Sequence, residues 1–190
     1  MHVCSRRKFL RFAVAAMALT ALAMPAAWAE GIQAQQIDVV LRGELFHLNG
    51  GFVIQLSPTL DDALRRGVQL TFKQAVEAER ARDWWLAEGL SDLERSVRLS
   101  YNALLRQYYV TLSGVSSAHE SLSDALREVG DLRDWAVVSV KQMKKKSEYK
   151  IYLRMYLDLS QLPKPLQVNA LASSGRWQLD SGWQERSFKY

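Results

Sequence analysis

The chain has 190 residues, 48% of them hydrophobic and 24% charged, with 25 Lys+Arg against 20 Asp+Glu. That composition excludes a disordered or collagen-like chain. The net charge of +5 is local: Arg6, Arg7, Lys8 and Arg11 precede residue 30 and no acid does, so residues 30–190 carry 21 cations against 20 anions. A near-neutral balance does not supply the broad cationic face that displaces counterions from phosphate, and no nucleic-acid partner is expected.

Residues 1–29 read as a cleavable signal peptide. A cationic start is followed by an apolar run from Phe12 to Met24, then Pro25, then small residues at Ala27 and Ala29 around Trp28. Cleavage is expected after Ala29, and removing 29 of the 190 residues leaves 161, enough for one periplasmic domain over residues 30–190. Ser5-Arg6-Arg7-Lys8-Phe9-Leu10 is similar to a twin-arginine export signal, and an ordinary unfolded-chain signal fits equally. The apolar run is short for a membrane span. The one cysteine, Cys4, lies in this leader, so residues 30–190 have no disulfide, thiol nucleophile or thiolate metal site.

In chain order, Asn49-Gly50-Gly51 reads as a hairpin turn before a strand through Phe52, Ile54 and Leu56. Ser57 caps and Pro58 opens a short helix ending at Gly67. Val68, Leu70, Phe72 and Val76 alternate as a strand, with Gln74 the polar break. Val76–Leu93 favours helix by propensity, yet its flanks favour two strands joined across Trp84-Trp85. Val97, Leu99 and Tyr101 form another strand, followed after a weak turn at Asn102-Ala103 by Leu104 to Leu112. A second helix runs from about Ser121 to Val129 and ends at Gly130; its Leu-Ser-Asp-Ala-Leu-Arg is similar to Leu-Asp-Asp-Ala-Leu-Arg of the first, which fits either convergent helix-start chemistry or a trace of internal duplication. Trp135–Val140 and Ser187–Tyr190 are short strands, and the clearest strand runs from Tyr149 to Leu159 with every second residue apolar. The fold class is therefore mostly β: a single β-sandwich-like domain, an immunoglobulin-like arrangement being one form of it, with two short α-helices.

Two segments carry a family resemblance. Leu99-Ser100-Tyr101-Asn102-Ala103-Leu104-Leu105-Arg106-Gln107-Tyr108 is one motif, and Leu157 to Ala170, reading LDLSQLPKPLQVNA, is the other. The pair resembles the uncharacterised exported proteobacterial family known as domain of unknown function 4390, over about Ile32 to Phe188. Members are described as proline-rich signal-peptide proteins, although this chain has only four prolines. It also has Ala81-Arg82-Asp83 before the Trp pair, where the family pattern has a proline. The resemblance brings no catalytic residues. It implies a membrane histidine kinase as partner, because family members are frequently encoded beside one and its response regulator.

Catalytic patterns are scarce. His47 sits between Phe46 and Leu48 and reads as a strand-surface residue, and His119 follows Ser116-Ser117-Ala118 in a loop without a nucleophile elbow. Ser147-Glu148-Tyr149-Lys150 opens a strand, where residues three apart face opposite ways, so its lysine does not reach its hydroxyl. Asp61-Asp62 reads as helix-start charge. No metal, phosphate-loop or dinucleotide pattern occurs, and no cofactor is implied. The candidate interaction surface comprises Trp84 and Trp85 as an exposed aromatic contact or as plain core packing, Lys144, Lys145 and Lys146 as a solvated turn or a contact for an anionic membrane surface, and Pro163, Lys164 and Pro165 as an extended recognition segment or a plain strand exit. The expected function is a non-enzymatic periplasmic binding or accessory domain; the alternative is a cofactor-free envelope hydrolase using His119 and nearby hydroxyls. Protein recovered from the periplasm is expected to begin at Glu30 by N-terminal sequencing, and an intact leader on the recovered chain would overturn the cleavage site.

Overall fold

The computed structural model describes residues 31–80, 87–172 and 175–190. The expected leader, residues 1–29, and Trp84-Trp85 lie outside them. Two antiparallel sheets hold most of the described chain. The first contains β1 (Gly31–Ala34), β2 (Asp38–Arg42), β3 (Leu45–Gln55) and β8 (Asp131–Ser139), with β3 paired to the other three. The second has the order β10 (Gln184–Lys189), β9 (Glu148–Leu157), β4 (Leu70–Arg80), β5 (Glu88–Asn102), β6 (Gln107–Leu112) and β7 (Val115–His119). The chain is thus β-sandwich-like, as the alternation requires. Its four consecutive strands β4 to β7 lie side by side, whereas immunoglobulin domains switch strands between sheets along the chain.

Period-two patterning places one face of each strand inside. In β9, Tyr149, Ile151, Leu153, Met155 and Leu157 are buried, and Leu70, Phe72, Val76 and Ala78 of β4 lie against the same core. Phe46 and Leu48 of β3 close the core from the other sheet, with the Phe46 ring 4.9 Å from that of Phe188 on β10. The outer face of the larger sheet is laced by cross-strand pairs: Lys73 to Glu94 at 2.6 Å, Tyr152 to Glu79 at 2.9 Å and Lys150 to Glu185 at 2.9 Å. Lys73, by donating to it, holds the Glu94 carboxyl below its ordinary range. Within Val76–Leu93, residues 76–80 and 88–93 are strand, β4 and β5 pairing from Leu70↔Leu99 to Arg80↔Glu88 with a register shift between Ala78 and Glu79; residues 81–86 lie outside the described residues.

Three α-helices, not two, are present among the described residues. α1 (Pro58–Arg65) and α2 (Leu122–Gly130) start where their serines predict: Ser57 Oγ accepts from Leu60 N at 3.3 Å, and Ser121 Oγ accepts from Asp124 N at 3.1 Å. α3 (Lys164–Ala172) replaces the expected extended segment. The strand ends at Leu157 rather than Leu159, because Asp158 turns the chain into one 3-10 turn by accepting from Ser160 N at 3.0 Å. Pro163, Lys164 and Pro165 then lie at the helix start, where a proline's missing N–H costs no helical bond.

Two turn expectations need correction. Asn49-Gly50-Gly51 is not a hairpin turn; it lies inside β3, whose own hairpin with β2 closes at Gly43 and Glu44. Crowding explains these glycines. A Cβ on Gly50 would stand 2.2 Å from Gln36 O, and one on Gly51 would stand 2.9 Å from Gly130 O. Leu104 and Leu105 are not strand residues either. They occupy the turn after β5, 91% and 56% exposed, because Asn102 Oδ1 accepts from both of their amides at 3.0 and 3.1 Å.

The polar break at Gln74 is a buried joint. Gln74 is 1% exposed and stands between Arg95 on β5 and Met155 on β9. Its Nε2 donates to Val129 O at 2.8 Å, near the end of α2. Its Oε1 accepts from Arg95 Nε at 2.6 Å, and Arg95 Nη2 donates to Asp131 O at 3.1 Å, at the start of β8. This chain of bonds fastens the larger sheet to α2 and to the smaller sheet, and it satisfies a carbonyl that the helix end leaves open. Gln74→Leu perfects the strand's apolar pattern yet strands Arg95 Nε and Val129 O; it is expected to cost about 1–3 kcal/mol in urea unfolding. Gly130→Ala puts a Cβ 2.0 Å from Phe52 O and is expected to lose about 1–3 kcal/mol, whereas Gly89→Ala, with nothing within 4 Å, is expected to lose none.

Candidate functional site

The Gln74 joint ends at the surface as the floor of a cleft. Arg95, Leu112, His119, Asp124, Arg127, Glu128, Asp131 and Arg133 line about 610 Å³ between β5–β7, α2 and the start of β8. Five elements supply these side chains. Arg95 falls on the inward face of β5, on the same side as Val97 and Leu99. Asp124, Arg127 and Glu128 are spaced three and four along α2 and so share one side of it. Asp131 and Arg133 alternate along β8.

Arg95 is the least ordinary of them. Its guanidinium lies 4.2 Å over the Trp135 ring, and it donates to no carboxylate among the described residues. Burial draws it below the ordinary arginine range, and the nearby Asp131 charge opposes part of that. The other charges of the cleft are matched. Arg127 Nη2 meets Asp124 Oδ1 at 2.8 Å, and Arg133 Nε meets Asp131 Oδ2 at 2.5 Å. Asp124 is held low chiefly by the Ser121 hydroxyl, which donates to it at 2.6 Å.

His119 belongs to β7 rather than to a loop. Its Nε2 contacts Glu128 Oε2, and Ser117 Oγ donates to Glu128 Oε1 at 2.7 Å. The three groups that a hydrolase would need are therefore together. Their order differs from that of a catalytic triad. The carboxylate sits between hydroxyl and imidazole, so the imidazole does not receive the serine proton. As wired, the cluster anchors α2 to the edge strand β7.

The remaining expected residues lie elsewhere. Lys144, Lys145 and Lys146 form an exposed turn before β9, without an ion pair among the described residues. Tyr149 Oη shapes that turn, accepting from Lys144 N at 2.6 Å and bonding Lys144 O at 3.1 Å. Pro163, Lys164 and Pro165 are exposed at the start of α3, away from the lining of the cleft. His47 is a strand residue whose Nδ1 stands 3.0 Å from Asp134 Oδ1. Asp61 and Asp62 pair four residues on with Arg65 and Arg66, each at 3.0 Å, while Ser57 caps. Lys150 reaches Glu185 rather than Ser147. No group of three His, Cys, Asp or Glu side chains that would hold a metal occurs among the described residues. None of their helices is long and apolar enough to cross a membrane. Arg95 escaped the sequence reading; its signal was the cation interrupting the inward face of a strand, opposite the equally misplaced Gln74.

Known proteins add one finding. No curated protein and no solved structure matches the chain. Residues 29–187 match the family described as "Domain of unknown function (DUF4390)". The LSYNALLRQY segment forms the β5–β6 hairpin and the LDLSQLPKPLQVNA segment forms the exit from β9 into α3. The match takes in both segments and every lining residue of the cleft, so the chain belongs to the DUF4390 family.

Proposed function

We propose that the chain is an exported, periplasmic, non-enzymatic binding or accessory domain. The observation that carries this reading is the wiring of the cleft: Glu128 separates Ser117 from His119, while Arg95 brings an unmatched cation to the floor. A pocket with fixed polar groups and no activated nucleophile suits recognition better than turnover. The leader of residues 1–29 and the near-neutral charge of residues 30–190 support the compartment and argue against a nucleic-acid partner. The envelope sensor kinase implied by the family resemblance is the protein partner to test, and the exposed Lys144–Lys146 turn is the contact that would suit an anionic membrane surface.

The hydrolase reading has one observation in its favour, the gathering of Ser117 and His119 around Glu128 at the cleft. Hydrolysis of p-nitrophenyl acetate by the periplasmic protein separates the two. The expected rate equals that of the Ser117→Ala variant and of buffer at matched pH. Turnover that Ser117→Ala and His119→Ala both abolish, with their unfolding midpoints preserved, would show an enzyme instead.

A further inference from the structure

We propose that the cleft binds a small carboxylate through the open fork of Arg95, a ligand class that rests on the binding reading above. A guanidinium has five N–H donors in a fixed plane. In Arg95 one side of that plane is occupied by neutral oxygens, Nε on Gln74 Oε1 at 2.6 Å and Nη2 on Asp131 O at 3.1 Å. Nη1 has no partner among the described residues, so the end formed by Nη1 and the second Nη2 proton remains to donate. Trp135 covers a face of the plane at 4.2 Å and leaves its edge for a ligand.

Every carboxylate of the cleft is already engaged. Asp124 holds Arg127, Asp131 holds Arg133, and Glu128 holds Ser117 and His119. Arg95 is the cation left over. A guanidinium partly withdrawn from water and hydrogen-bonded only to neutral acceptors carries a desolvation cost that a directly paired anion offsets. A planar carboxylate accepts two parallel N–H bonds from such an end, a geometry that lysine cannot supply. Three arginines and three carboxylates line the cleft, so the walls offer no excess charge to hold a dianion. One fork suits one monoanion, and Leu112 supplies apolar surface for its carbon skeleton.

The test is a ¹H–¹⁵N NMR titration of the labelled periplasmic protein with sodium acetate, at ionic strength matched by sodium chloride. The Arg95 Nε–H and Trp135 indole N–H signals are expected to shift saturably with acetate and not with chloride. Arg95→Lys keeps the charge and loses the fork, and is expected to weaken acetate binding at least about tenfold. Arg98→Gln, an exposed neighbour on the opposite face of β5, is expected to leave it unchanged. If Arg95→Lys loses its dispersed spectrum, Leu112→Asp supplies a second test, because a carboxylate in the lining is expected to abolish the acetate shifts. Acetate shifts that match chloride, or acetate affinity retained in either cleft variant, would overturn the proposal. Saturation by inorganic phosphate with no response to acetate would overturn the ligand class and leave the binding reading standing. Serine-dependent ester hydrolysis would overturn that reading itself.

Discussion

The bond chain from Arg95 through Gln74 to Val129 O, with its branch to Asp131 O, ties together parts of the molecule that hydrophobic contact alone would leave free to slide. Apolar packing is nearly indifferent to direction, whereas hydrogen bonds set register. Here they set it at the junction of the larger sheet, α2 and β8. The joint is buried at Gln74, where an unmet polar group is costly, so the neighbours must come to it in one arrangement. The same junction is tight in backbone as well: Gly51 and Gly130 let β3 and the end of α2 approach more closely than any side chain allows. Specific polar bonds and a side-chain-free crossing thus act at the same place.

That junction positions the cleft. α2 ends against β3 and carries Asp124, Arg127 and Glu128 to one side of it. Glu128 reaches Ser117 and His119 on β7, so the edge strand is tied to the helix that covers it. An edge strand otherwise presents open backbone groups, and anchoring one helix beside it limits how far it can fray. The charges of this region are consequently arranged for architecture first. Arg95 alone among the arginines of the cleft has no carboxylate partner among the described residues after the structural bonds are made.

The two faces of the larger sheet divide the work. Inward residues are mostly apolar, with polar exceptions at the Gln74–Arg95 row, at buried Arg80 and at Ser117 and His119 on the edge strand, and outward residues form a lattice of cross-strand pairs from Lys73–Glu94 to Lys150–Glu185. Exposed pairs of this type contribute little individually. Their effect here is to keep one face wet and the other dry, which fixes which way each strand is turned, since a slip of one residue would reverse every side chain.

Local chemistry was readable in the chain itself. Strand β9 alternates without interruption, Ser57-Pro58 and Ser121 cap their helices, and Asn102 forms its turn, because each effect involves residues within a few positions of one another. Three features were settled only by tertiary structure. Gly50-Gly51 looks like a hairpin turn until the backbone crossing at Gln36 and Gly130 is seen. Pro163-Lys164-Pro165 looks extended, yet it begins α3, because proline is compatible with both a strand exit and a first helical turn. The Arg95 floor joins residues 74, 95, 129, 131 and 135 across two sheets and a helix. Periodicity records which side of an element a residue occupies, but not which distant carbonyl or ring will meet it there; that is decided by how the sheets pack.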